Sequence, residues 1–278
     1  MAHPSPGEGR ESPPPPSSAY VVLEGGNYAS TDLTRGPWHP GHQHGGPPIA
    51  LAARCIERAA AALELTHVAR LTANLLRPIP IAELAVEVQT DYAGRNVAHF
   101  SARMMAGGKD VARFTAVAQR EAGLEIPAEL AGHPLPQAPL SLAQSPPAPF
   151  LFASKTSGYH ELIEGRIAQG VAFRGPSAVW FRLRHPLVAG EVPGGLQRVA
   201  VAADSGNGIS AILDFHRYIF VNSDLTINLL RKAQGEWICI DARTLLGPDG
   251  GGLAEARIFD EQGLIGRSTQ SLAIRLRQ

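Results

Sequence analysis

Three histidines, His39, His42 and His44, lead into the pair Gly45-Gly46, which Pro47 and Pro48 follow. A helix that begins at such a pair has first-turn N–H groups without internal partners, and glycine lets a carbonyl oxygen come close to them. Each well-placed donor of that kind stabilises a developing oxyanion by roughly 2.7–4 kcal/mol. As metal ligands the same histidines fit no standard zinc spacing and have no obvious carboxylate partner, so no metal is expected. Packing or capping of the loop explains them at least as well as catalysis does. Asp204 stands in AADSGNG, ahead of a glycine-containing helix start. There a carboxylate can accept a proton or orient a water, but the plain alternative is a helix N-cap worth about 1 kcal/mol. In YIFVNSDLTINLL, period-2 alternation puts Asn222, Asp224, Thr226 and Asn228 on one strand face, which is equally what a half-exposed strand shows. Gln270, in STQS, has its own plain alternative as a surface polar in the same alternation. Neither a GxxxxGK[ST] phosphate loop nor a GxSxG elbow occurs, and Cys55, in mid-helix, reads as an inert core thiol.

Such residues need elements to hold them. The chain has 278 residues, enough for two modest domains or one large one. It is 44% hydrophobic and 18% charged, which is ordinary globular usage. Lys plus Arg and Asp plus Glu number 25 each, so no global field draws nucleic acid or an anionic bilayer, and neither is expected as a partner. Two cysteines without metal-type spacing fit a reducing cytosol. The amino terminus lacks a secretory apolar core, and no run approaches the roughly 20 apolar residues of a spanning helix. A soluble cytoplasmic protein without a cofactor is expected. Prolines concentrate in residues 1–18, expected as a disordered tail, and in 124–154, expected as a linker. These leave two lobes, 19–123 and 155–278.

In the first lobe Ile49, Ala53, Ile56 and Ala60 recur at helical spacing, which predicts a helix over 49–65 with short antiparallel strands after it. The second lobe repeats that order. LTANLLR (71–77) matches LTINLLR (225–231) at six of seven positions, and the same offset of 154 lays Arg103 on Arg257 and Thr115 on Thr269. HGGPPIAL (44–51) resembles DSGNGISAI (204–212), with Gly46 on Gly206 and Ile49 on Ile209 at an offset of 160, making His44 the repeat partner of Asp204. A His and an Asp at symmetry-related helix starts could then face one another across the lobes. Gln270 falls on Ala116, so its amide exists in one lobe only, which suits a site carried by the second lobe's helix.

A helix begun at a Gly-rich turn, wrapped by a curved antiparallel sheet and present twice, resembles the double-hotdog arrangement of the acyl-CoA thioesterase II family. More specific likenesses are HGGPPIALAARCIERA, LLRP (75–78), VWFR (179–182), AADSGNGIS (202–210) and STQS (268–271), over about residues 19–278. The resemblance implies an α+β fold of two fused lobes, each a curved antiparallel sheet around a central helix. It implies hydrolysis of an acyl-CoA thioester to free acid and CoA, and a homodimer. In that family an Asp, a Thr or Ser, and a Gln jointly hold the attacking water; carried over, the Asp is Asp204 and the Gln is Gln270. The middle position departs from the pattern. The family's Thr falls on Asn222, and a hydroxyl appears four residues on at Thr226. Those two lie about 13 Å apart along a strand, so they cannot both touch one water. Asn222 and Gln270 each offer an amide with donor and acceptor ends. Asp204 is expected mainly to orient, because a helix start favours its anion. His44, Gly45 and Gly46 are expected against the substrate. Asn222 in place of a hydroxyl leaves open a non-catalytic acyl-binding or biosynthetic accessory protein on the same fold.

Overall fold

The computed structural model describes residues 17–127, 129, 135–149 and 156–277. Most of the expected tail and part of the expected linker therefore lie outside the described residues. The first lobe runs β1 (Tyr20–Val22), β2 (Tyr28–Ser30), α1 (Gly46–Ala61), β3 (His67–Leu75), β4 (Glu83–Ala93), β5 (Val97–Ala106) and β6 (Lys109–Gln119). The second runs α2 (Tyr159–Leu162), β7 (Ile163–Gln169), β8 (Ser177–Leu183), α3 (Gly195–Asp204), α4 (Gly206–Ile209), β9 (Tyr218–Asn222), β10 (Asp224–Leu229), β11 (Ile238–Leu246), β12 (Gly251–Asp260) and β13 (Gly263–Leu276). Helix α1 begins three residues ahead of the expected start, because Pro47 and Pro48 have no first-turn N–H to leave unpaired. It stops short of Leu65 in a Schellman-type turn. Glu64 takes a left-handed φ of 58°, its N–H donates to Ala61 O at 2.9 Å, and Leu65 N–H donates to Ala60 O at 3.0 Å.

The strands form one antiparallel sheet in the order β1-β2-β4-β5-β6-β3-β10-β13-β12-β11-β8-β7, with β9 also on β13. The repeat is visible in it: β5 and β12 differ by 154 at both ends, and β3 lies on 221–229 at the same offset. The lobes join where β3 pairs with β10, and there Thr72 sits directly opposite its own repeat partner Thr226. A pseudo-twofold axis therefore passes between these two threonines. Helices α1 and α3 lie against each other in the single large core, with Ile49, Leu51, Ile56, Leu196 and Val199 packed on Leu71, Phe100, Phe114, Ile227, Ile240 and Ile258. Both glycines at the start of α1 serve that contact. A Cβ on Gly46 would lie 2.9 Å from Val201 O, and one on Gly45 would lie 2.8 Å from Asp204 Oδ1. A smaller apolar cluster, Ala168, Ala178, Trp180, Trp237, Cys239 and Phe259, is covered by Ala138 and Leu142 from the proline-rich segment. Trp180 Nε1 donates to Leu140 O at 3.0 Å, so part of that segment is packed structure and not spacer.

Two expectations fail on local geometry. The turn DSGNG does not begin the second lobe's helix: α3 starts at Gly195 and Asp204 is its last residue, with the four-residue α4 following. Leu196, Val199, Ala200 and Ala203 supply a buried helical face upstream that the Gly-rich turn drew attention away from. Nor do Asn222 and Thr226 share a face. Asn222 pairs with Leu272 but Thr226 with Thr269, so four residues on one strand span three on the other. The extra residue, at Ser223, is a β-bulge, and it reverses the alternation. Phe220 and Asn222 face inward before it, Leu225 and Ile227 after it.

Candidate active site

Loop 36–45 of the first lobe, the α3–α4 junction and the end of β9 converge on one carboxylate. His44 is fixed by its own backbone, its N–H donating to Thr34 O at 2.7 Å, and its Nδ1 reaches Asp204 Oδ2 at 2.7 Å. Asn222, re-aimed inward ahead of the bulge, donates Nδ2 to Asp204 Oδ1 at 2.7 Å. Each carboxylate oxygen thus has one donor, from a different lobe. The Asp204 side chain is only 3% exposed, so these hydrogen bonds act where water screens little. Gln270, on β13, does not touch the carboxylate. Its Nε2 donates to the backbone O of Asp204 at 3.2 Å and its Oε1 accepts from Asn207 N at 2.9 Å, which clasps the α3–α4 junction.

Nδ1 of His44 lies 2.7 Å from the carboxylate and 3.3 Å from Gly46 N. The shorter, charged contact assigns the proton to Nδ1, and two consequences follow. In a neutral ring Nε2 is then the acceptor, and the Gly46 N–H, aimed at Nδ1 from 3.3 Å, makes only a weak contact there. Pro47 and Pro48 bring no N–H, and Ile49 N donates to Gly45 O, which leaves the Gly45 N–H as a donor at this end of α1. The His44 ring also stacks on Tyr159, with centroids 3.7 Å apart and planes 8° from parallel. Tyr159 is buried, and its hydroxyl lies 2.9 Å from both Val201 O and Ser205 Oγ. Burial drives its pKa far above the usual phenol range, so it stays a neutral hydrogen-bond donor. Nothing in the pattern around Tyr159 marks it, because it lies outside both the repeat and the quoted motifs.

Of the expected residues, His44, Gly45, Asp204 and Asn222 come together, with Gly46 on the adjoining turn and Gln270 behind. Thr226 does not join them. It faces outward, its hydroxyl 3.2 Å from that of Thr72 across the lobe junction, because the bulge separates its face from that of Asn222. Asp204 does not cap a helix N-terminus either: it is the last residue of α3, and its carboxylate is held by His44 and Asn222 instead. His39 and His42 stay in the loop, their rings 4.3 Å apart and Gly41 N donating to His39 Nδ1 at 3.0 Å. Burial and then the His39 charge hold the pKa of His42 below the usual imidazole value. Among the described residues no group of His, Cys, Asp or Glu is placed to hold a metal ion, and no helix is long and apolar enough to cross a membrane. Beside the cluster, Phe220 packs with Phe215 and Trp38 at centroid distances of 4.6 and 5.8 Å. These rings form an aromatic wall next to Asn222.

Both lobes of the chain are similar to known proteins. Residues 34–119 match the acyl-CoA thioesterase N-terminal domain and residues 136–274 the acyl-CoA thioesterase C-terminal domain. Among solved structures, the acyl-CoA thioesterase II TesB2 from Mycobacterium marinum superposes with a TM-score of 0.65 at 18% identity, over 93% of this chain and 95% of that one. A conserved protein of unknown function with a hot dog fold from Alicyclobacillus acidocaldarius gives 0.67 at 16% identity, over 94% and 97%. The tesB protein of Mycobacterium avium subsp. paratuberculosis gives 0.64 at 16%, over 90% and 92%. At these identities the structural likeness shows the fold. No curated protein matches the chain.

Proposed function

The chain belongs to the acyl-CoA thioesterase family, its two halves matching the N- and C-terminal domains, and on that premise we propose that it hydrolyses acyl-CoA thioesters with a water held at Asp204. The observation that carries the proposal is the carboxylate shared between lobes, with His44 on one oxygen and Asn222 on the other. Each oxygen keeps a lone pair for a water proton, and Asn222 Oδ1 offers a second acceptor beside it. Asp204 orients this water and takes its proton as the oxygen attacks, while His44 Nδ1–H and Asn222 Nδ2 hold the carboxylate in place. The water oxygen bonds to the thioester carbon, and the carbonyl electrons move to an oxyanion that the Gly45 N–H can meet at the head of α1. Collapse breaks the C–S bond, and the Asp204 carboxyl returns its proton to the CoA sulfur. Gln270 acts one step back, holding the turn that carries Asp204.

Asn222 fills the place of a hydroxyl without losing a donor to the carboxylate, so the departure from the family pattern leaves water positioning intact. Thiol release from a panel of acyl-CoAs of graded chain length tests this. Turnover should fall at least about 100-fold in both Asp204→Asn and His44→Ala with the circular dichroism spectrum retained, and survive within about tenfold in Asn222→Thr. Should no acyl-CoA be turned over while acyl-CoA binding persists, the non-catalytic acyl-binding role replaces hydrolysis.

A further inference from the structure

The inward face of β9 leads away from the Asp204 cluster and ends beside two arginines. Asn222, Phe220 and Tyr218 share that face by period 2, and it opens to solvent along its length. Phe220 is 2% exposed, Tyr218 is half-buried, and Leu276, the strand partner of Tyr218, is 58% exposed. At the open end the Arg217 guanidinium lies 5.4 Å from the centre of the Tyr218 ring, and that of Arg277 lies 5.7 Å from the centre of the Trp38 ring. Arg277 N donates to Arg217 O at 3.0 Å, so the two backbones run side by side. Both arginines are exposed, and among the described residues neither side chain has a carboxylate partner. Arg277 uses its Nε on Phe215 O at 2.6 Å, which leaves its terminal NH2 groups for another acceptor. Asp214, in the same loop, is turned to its own backbone and accepts from His216 N at 2.8 Å. Two cations braced by rings and backbone at one end of an aromatic wall thus have no anion of their own.

We propose that Arg217 and Arg277 hold the diphosphate of CoA, with the pantetheine arm lying along the Trp38 and Phe215 rings, and that they select CoA thioesters over thioesters without phosphate. The inference rests on the hydrolase function proposed above. Reach supports it. Tyr218 stands four residues from Asn222, about 13 Å along a strand. The arm from the thioester sulfur to the first phosphorus has roughly thirteen bonds, equal to about four residues of extended backbone, so it spans at most about 15 Å. With the thioester carbon at Asp204, the diphosphate and not the more distant ribose phosphate meets the arginines. The apolar parts of the arm have Trp38 and Phe215 to pack on, their ring centroids 5.5 Å apart. A guanidinium fork matches two phosphate oxygens, which a lone positive point charge does not.

The test titrates the full chain calorimetrically with CoA, 3′-dephospho-CoA and pantetheine. Dephospho-CoA should bind within about threefold of CoA, and pantetheine at least about 30-fold more weakly, since each exposed charge-assisted contact contributes roughly five- to tenfold. In Arg217→Gln combined with Arg277→Gln the gap between CoA and pantetheine should shrink to about threefold or less. Arg217→Gln alone, at a side chain without a hydrogen bond to the fold among the described residues, should narrow it at least about fivefold and serves if the double variant does not fold. Arg70→Gln, an exposed arginine on the outer face of the sheet, should leave the gap unchanged, which separates a local site from net charge. With acyl-CoA the loss should fall on KM and not on kcat, because the contact is the same in ground and transition states. A wild-type gap below about threefold, a gap that survives the arginine substitutions, or dephospho-CoA binding as weakly as pantetheine overturns the proposal. A lower KM for an acyl carrier protein thioester than for the matching acyl-CoA overturns it too, and gives the arginines to the carrier's phosphate. If nothing is hydrolysed, the hydrolase function fails, and an arginine-dependent gap still upholds the coenzyme site while its absence ends it.

Discussion

A carboxylate almost closed to solvent works only as well as its partners are aligned, and the alignment of His44 falls to Tyr159. The phenol ring lies flat on the imidazole, while its hydroxyl is tied to Val201 O and Ser205 on the helix that ends in Asp204. Tyr159 touches no reacting atom, so it is a positioning residue. Tyr159→Phe keeps the stack and leaves two buried polar groups short of a partner, which should cost about 1–2 kcal/mol of stability and change kcat little. Tyr159→Ala frees the ring and should lower kcat by about tenfold or more at similar KM. Steady-state kinetics on both variants, with a urea titration, separate the two effects. Equal kcat in both would remove the positioning role. Tyr159 was not legible because one aromatic in a short, unpatterned segment carries no signal. The contact of His44 with Asp204 was expected from laying one half on the other, but α3 starts at Gly195 and ends at Asp204, so the two meet without standing at symmetry-related helix starts.

Elements were legible wherever periodicity runs unbroken and failed where a single residue interrupts it. The offset of 154 anticipated β3 to β6 and their counterparts, whereas one inserted residue at Ser223 reversed a strand face and no count along the chain could see it. At the contact of α1 with α3, Glu57 of α1 accepts from Gln197 Nε2 at 2.8 Å. Burial raises its pKa, only partly offset by that hydrogen bond and by one from the Leu196 backbone. A carboxylate whose pKa is higher folded than unfolded favours folding at low pH, and that advantage is lost as pH rises from the unfolded value, near 4.3, through the folded one. At neutral pH the wild type therefore carries the cost of a buried charge. Glu57→Gln, whose amide can still accept from α3, should stabilise by on the order of 1 kcal/mol, raising Tm by roughly 2 °C. The gain should vanish below about pH 4, where both side chains are neutral. A calorimetric series from pH 4 to 8 checks this, and a gain independent of pH would point to packing instead of charge.

At the scale of the whole molecule the lobes share one sheet and one core, and a charged clamp closes the far side of the helix pair. Arg54 of α1, its side chain 3% exposed, donates Nε to Glu191 Oε2 at 2.6 Å and a terminal nitrogen to Glu191 Oε1 at 2.5 Å, with Tyr28 OH accepting at 2.9 Å. Glu191 belongs to the other lobe, ahead of α3. The halves should therefore unfold in one transition, with tryptophan fluorescence and far-ultraviolet dichroism giving coincident urea curves. Glu191→Ala strands a buried guanidinium. Removing one partner of a fully buried pair costs about 3–5 kcal/mol, and because Glu191 is 32% exposed about 2–3 kcal/mol is expected here. The double variant Arg54→Met with Glu191→Ala should recover most of the loss, since the stranded charge is then gone. The Arg54 hydrogen bond holds Glu191 below the usual carboxylate range despite partial burial. Its stabilising effect is accordingly full above the unfolded pKa near 4.3 and lost as pH falls through the folded value. The stability gap between wild type and Glu191→Gln should close as the pH drops below about 4. Two resolved transitions in the wild type, or a gap that widens in acid, would mean that the clamp does not couple the lobes.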